Sequence, residues 1–190
     1  MGTICDDTIG GYNSFIEQQK TIPGECLVSL MMFDHEFENP YEKVPLQDVK
    51  PLNRQTYVPR GSTALLDAIG VTLDKLEARE EKPERTLVVI ITDGEENSSK
   101  EYTNVAIKKM IKSLRKSKRY EFIFLGANID SFAVAQQYGM SVNNSINYTA
   151  SAEGVTLAFA NVNDSAVMYR NATAGDDTSD IMKKASEKNK

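Results

Sequence analysis

Leu87-Val88-Val89-Ile90-Ile91-Thr92 is a run of six strand-favouring residues with no polar alternation, and it ends in Asp93-Gly94. A strand that is apolar on both faces has to be covered on both, which predicts a central strand of a parallel sheet. The Asp-Gly pair marks a turn at its carboxyl end, the edge where open α/β sheets bind ligands. Asp93 is therefore the first candidate site residue.

The rest of the chain is read outwards from this strand. Asp6 to Lys20 predicts a helix with Ile9, Tyr12 and Ile16 on one face. Gly10-Gly11 inside it costs about 1 kcal/mol per glycine relative to alanine, so close packing is expected there. Cys26 to Phe33 reads as a second buried strand, and Phe37 to Val44, weakened by Pro40, as its edge partner in a hairpin. After a loop from Pro45 to Arg60 come an amphipathic helix from Thr63 to Glu80, the Asp93 strand, and a helix from Thr103 to Lys116. Tyr120 to Ala127 is a further apolar strand. A short helix from Ser131 to Tyr138, a weak strand from Ser141 to Tyr148 and a helix from Ser151 to Arg170 complete the pattern. Residues 171–190 lose apolar periodicity and read as a polar, disordered tail beyond a domain spanning residues 1–170. Strands alternating with helices predict an α/β fold with a doubly wound, mostly parallel sheet and helices on both faces. Such a sheet normally opens on a buried strand, whereas this chain opens on a helix.

Composition narrows the partners. A net charge of -5 over 190 residues predicts no nucleic-acid partner. No apolar run is long enough to span a bilayer, so no membrane role is expected. Cys5 and Cys26 are the only cysteines and, with the single His35, cannot furnish a zinc site. They read as free thiols of a cytoplasmic protein, and the amino terminus has no secretory pattern. The basic residues from Lys108 to Arg119 lie opposite the apolar stripe of their helix and read as a solvated face. His35 reads as a surface turn residue.

Gly61-Ser62-Thr63-Ala64-Leu65-Leu66-Asp67-Ala68, upstream of a buried strand ending Ile91-Thr92-Asp93-Gly94-Glu95, resembles the von Willebrand factor A domain family across roughly Met1 to Arg170. The resemblance implies a metal-ion-dependent adhesion site in which Thr63 and Asp93 are ligands. Gly61, Ser62, Gly94 and Glu95 form its rim, with Glu96 near it. It also implies a non-enzymatic protein-binding module that captures a partner's acidic side chain through Mg²⁺ or Mn²⁺. A hard cation of this kind wants six oxygens at about 2.0 to 2.1 Å. The family's first metal segment, D-x-S-x-S after the first strand, is absent. The nearest fragment, Asp177-Thr178-Ser179-Asp180-Ile181, lies in the tail and lacks the last serine.

The resemblance thus implies that the first central strand is missing, that the chain starts inside the domain at Met1-Gly2, and that the metal is bound weakly or not at all by this chain alone. The exposed sheet gap so created offers a route to self-association. Two rival functions stand beside this one. One is a metal-dependent hydrolase or phosphoryl-transfer enzyme using Asp93 and Asp130; the other is a scaffold that binds without metal.

Overall fold

The computed structural model describes residues 4–173 and 176–188. Met1 and Gly2, where the family pattern was expected to resume, lie outside them. The chain begins with helix α1 (Cys5–Lys20), followed by strands β1 (Leu27–Phe33) and β2 (Phe37–Pro45), which pair antiparallel. Helix α2 (Leu65–Glu77) leads to β3 (Thr86–Thr92), α3 (Asn104–Lys116), β4 (Tyr120–Ala127), α4 (Ser131–Tyr138) and β5 (Ser145–Tyr148). Helices α5 (Ala152–Asn171) and α6 (Ile181–Lys188) close the chain. Strands β3, β4 and β5 form a parallel sheet in that order, so the expected α/β class holds.

The two faces of β4 organise two cores. Tyr120, Phe122 and Phe124 pack with Leu65, Ile69 and Leu73 of α2 and with Ile107 and Ile111 of α3. Ile123, Leu125 and Ala127 pack with Val155, Phe159 and Val162 of α5 and with Ile181 and Met182 of α6. Period-two alternation along one fully buried strand thus feeds helices on both faces.

The hairpin stands apart as a two-stranded sheet, joined by no ladder to β3. This revises the strongest sequence expectation. β4, paired on both sides, is buried at every residue. β3, paired on one side only, buries just Ile90 and Thr92 fully. β1 buries none of its residues fully, although its sequence reads as a core strand. Hydropathy predicts what a strand needs covered, and the second neighbour that would cover it is absent among the described residues.

Three other expectations change. Residues 181–188 were expected to be disordered, yet they form α6. Ile181, Met182 and Ala185 are buried, and Asn144 Oδ1 accepts from the Met182 amide at 3.1 Å. The helix expected from Thr63 starts at Leu65, with Ala64 as its N-cap and no side-chain cap bond. The weak strand from Ser141 resolves into a 3₁₀ turn, Val142–Asn144, before the short β5.

The glycine pair in α1 is resolved residue by residue. A Cβ on Gly11 would lie 2.3 Å from the Phe159 ring of α5, while one on Gly10 would meet nothing within 4 Å. Close packing therefore explains one glycine and not the other. The basic face of α3 is solvated as expected, with Lys109, Lys112 and Lys116 exposed.

Candidate functional site

The loop carrying Thr63 and the turn that follows Asp93 meet at the carboxyl end of β3. Buried Thr92 closes the turn after the strand: the Gly94 amide donates to its hydroxyl at 3.2 Å, and the hydroxyl donates to the Gly94 carbonyl at 3.0 Å. This turn carries half-buried Asp93 at the carboxyl edge of the sheet, the edge at which open α/β sheets in general bind ligands. A Cβ on Gly94 would stand 2.9 Å from the Thr63 hydroxyl oxygen, so the glycine lets the two loops touch. Their backbones are also tied. The Asn97 amide donates to the Thr63 carbonyl at 3.1 Å, and the Thr63 amide donates to Asn97 Oδ1 at 3.0 Å.

Carboxylates that sequence reasoning undervalued hold this edge together. Asp67, 5% exposed, accepts from the amides of Lys100, Glu101 and Tyr102 at 2.7 to 2.9 Å. Burial alone would push its carboxyl up, but these donors hold it below the ordinary carboxylate range. Glu96, expected only near the rim, accepts from the amides of Leu66, Ser98 and Ser99 and from the Ser99 hydroxyl. Burial raises its carboxyl, and these bonds, led by the Ser99 hydroxyl, more than reverse the shift. The Leu66 bond caps the first turn of α2 from outside, the task that Thr63 leaves undone.

On the other side, Asp34 follows β1 directly, its buried carboxylate paired to Arg60. It also accepts from the Glu36 amide at 2.7 Å, and its carbonyl accepts from the Ala64 amide at 2.7 Å. Burial pushes the Asp34 carboxyl up, but the Glu36 amide and the Arg60 guanidinium bring it below its ordinary value. Asp34 follows a strand just as Asp93 does, and that position was the signal available in the sequence. His35 is mostly exposed beside it, Nδ1 lying 3.2 Å from Asp34 Oδ1.

The remaining expected residues are more peripheral. Gly61 and Glu95 are exposed, and Ser62 is half-buried in the loop before Thr63. Asp130, the carboxylate on which the enzyme reading depends, caps α4 by accepting from the Ala133 amide at 3.0 Å. Among the described residues, no group of three His, Cys, Asp or Glu side chains is placed to hold a metal ion. One hydroxyl and one carboxylate are too few protein oxygens to displace the hydration of Mg²⁺, so Thr63 and Asp93 by themselves do not fit such an ion.

No protein-family model and no curated protein matches the chain. Solved structures do. Proximal thread matrix protein 1 from the mussel byssus matches with a TM-score of 0.56 at 14% identity, over 84% of this chain and 42% of that one. A second crystal form of the mussel protein gives 0.57 at 14%, over 84% and 43%. A structure of the same protein with a zinc-occupied MIDAS motif gives 0.56 at 13%, over 84% and 43%. The fold is von Willebrand factor A-like. At such identity the likeness concerns the fold alone, and the chain spans less than half the length of the structures it matches. Among the described residues, no helix is long and apolar enough to cross a membrane.

Proposed function

We propose that this chain is a non-enzymatic protein-binding module of the von Willebrand factor A type, acting in the cytoplasm. Its binding edge is the junction of the Thr63 and Asp93 loops. The observation that carries this reading is the approach of the Thr63 hydroxyl to Gly94, beside Asp93 at the carboxyl end of β3. A hydroxyl and a carboxylate on separate loops are oxygen donors of the kind a hard cation takes, and in a completed site such a cation would take a partner's Asp or Glu as a further ligand.

The ligand set is a remnant. The family's first strand and D-x-S-x-S segment have no counterpart in these residues, so metal binding by the chain alone is weak or absent. Asp130 and Glu96 each spend carboxylate oxygens on backbone amides, which favours binding over metal-assisted hydrolysis.

The test is titration calorimetry with Mg²⁺ and Mn²⁺ on the wild-type chain and on Asp93→Ala. The expected result is no saturation at micromolar metal in either. Micromolar affinity that vanishes in Asp93→Ala would show a complete site and overturn the remnant reading. Turnover of phosphoesters that depends on Asp93 would overturn the non-enzymatic one.

A further inference from the structure

Strand β5 ends the parallel sheet, and among the described residues no strand pairs with its outer edge. Helices stand over both faces beside that edge. On one face α4 lies with α2 and α3, because Ala135 and Tyr138 pack in the core that holds Ile107 and Phe122. On the other, α5 and α6 bring Val162 and Met182 into the core that holds Ile146. Alternation along β5 divides its side chains between the two: Ile146 joins the α5 and α6 side, while the Asn147 carboxamide turns to α4.

Two asparagines fix the walls. Asn147 Oδ1 accepts from the Ser131 amide at 2.8 Å, which pins the first turn of α4 and sets the next residue, Phe132, beside the edge. Buried Asn144 accepts through Oδ1 from the Met182 amide at 3.1 Å, which pins the first turn of α6 and sets Lys183 beside the same edge. Between these helices lies a groove of about 260 Å³, lined along β5 by Ser145 and Ile146 and completed by Val142, Asn161 and Ser186. Phe132 is 46% exposed and Val142 41%, so two large apolar side chains face water within one concave surface.

We propose that this groove takes up an extended segment of a partner protein, hydrogen-bonded to the outer edge of β5, with apolar side chains turned to Phe132 and acidic ones to Lys183. Strand addition at a sheet rim draws affinity from the main chain and choice from alternate side chains. Because the two walls differ, successive residues of the occupant meet different chemistry. Lys183 carries the only charge among the described residues that line the groove, and Asn161 and Ser186 add neutral hydrogen-bonding groups on its side. A carboxylate complements that wall, and an apolar side chain covers the Phe132 ring on the other.

A second copy of the chain is a poor occupant. Pairing β5 with β5 about a two-fold axis sets like against like, and it brings two Lys183 side chains to a groove whose described lining holds no carboxylate. The edge is four residues long, about 13 Å, so the walls have to contribute alongside the main chain.

This surface is separate from the Thr63 and Asp93 loops, since β5 lies across β4 from β3. The probe is a fluorescein-labelled hexapeptide of alternating valine and glutamate. It is compared with the valine–lysine peptide of the same length and with the glutamate peptide methylated on every backbone nitrogen. Anisotropy measures binding, and hydrogen exchange locates it. The expected result is saturable binding of the glutamate peptide below about 1 mM, with exchange slowed at Ser145–Tyr148 and neither effect with the methylated peptide. Phe132→Ala should weaken binding about tenfold. Lys183→Glu should weaken it about fivefold and make the lysine peptide the better ligand. Both replaced side chains are exposed, so the variants keep the fold. Asp93→Ala and EDTA should change none of this, so failure of the metal reading is told apart from failure here. No saturable binding of the glutamate peptide, equal binding of the methylated or lysine peptide to the wild type, or dimerisation that protects Ser145–Tyr148 without peptide would each overturn the proposal.

Discussion

The Thr63 hydroxyl oxygen lies where a Cβ on Gly94 would be 2.9 Å away, so a glycine after Asp93 is what lets the α2 loop rest on the β3 loop. Real Cβ atoms do not approach an oxygen so closely. Gly94→Ala should displace the Thr63 side chain and cost about 1 kcal/mol of stability. Urea unfolding measures the cost. A Gly94→Ala protein as stable as the wild type would show that the contact is loose.

The two glycines of α1 make a matched pair. Gly10→Ala adds a methyl to an exposed helix position with open space around it and should stabilise by about 0.5 to 1 kcal/mol. Gly11→Ala drives a methyl to 2.3 Å from the Phe159 ring and should destabilise by about 1 to 3 kcal/mol. Thermal melts of the two variants should move in opposite directions, and movement in the same direction would refute the assignment.

Asp67→Ala removes one acceptor side chain from three backbone amides and leaves them without it at the base of the loop before α3. The expected loss is about 3 kcal/mol, with Asp67→Asn intermediate because a carboxamide keeps one oxygen acceptor. Faster amide exchange should be confined at first to Lys100, Glu101 and Tyr102.

Acid titration separates two kinds of carboxylate. Asp67 and Glu96 are held below their ordinary values, so their stabilisation is present above the unfolded pKa and is lost as pH falls through the lower folded one. Glu121 behaves oppositely. Burial raises it, despite Arg115 at 3.6 Å and the bonds from Phe122 and Asn144. Its contribution is full below the ordinary 4.5 and is lost as pH rises through the raised folded value. Urea unfolding followed from acid to neutral pH should lose part of its acid-side decline in Asp67→Asn. The decline on the neutral side should be relieved in Glu121→Gln.

Particular residues show why some of this was legible in advance. Ile107, Ile111 and Leu114 recur at helical spacing, and α3 buries that stripe; the boundaries of β4 follow the apolar run from Tyr120 to Ala127. The approach of the Thr63 loop to the Asp93-Gly94 turn was suggested by a family pattern, not by spacing. Asp67 gave a weak signal, an acidic residue in the first turn of a helix, and nothing local revealed that it binds amides more than thirty positions away. Residues 181–187 look polar because only Ile181, Met182 and Ala185 among them are buried, too few for a periodic pattern to stand out.

The sequence by itself determined the order and kind of the main elements from α1 to α5, the inward stripe of α3 and the carboxylate at the end of β3. These depend on periodicity and turn chemistry within one short stretch of chain. Only the tertiary structure decided which strand is enclosed. Leu87 to Thr92 and Tyr120 to Ala127 are comparably apolar, but β4 has a strand on each side and β3 has one, so the first is buried throughout and the second is half open. Enclosure of a strand belongs to its neighbours, and a neighbour is supplied by distant chain that local pattern cannot encode.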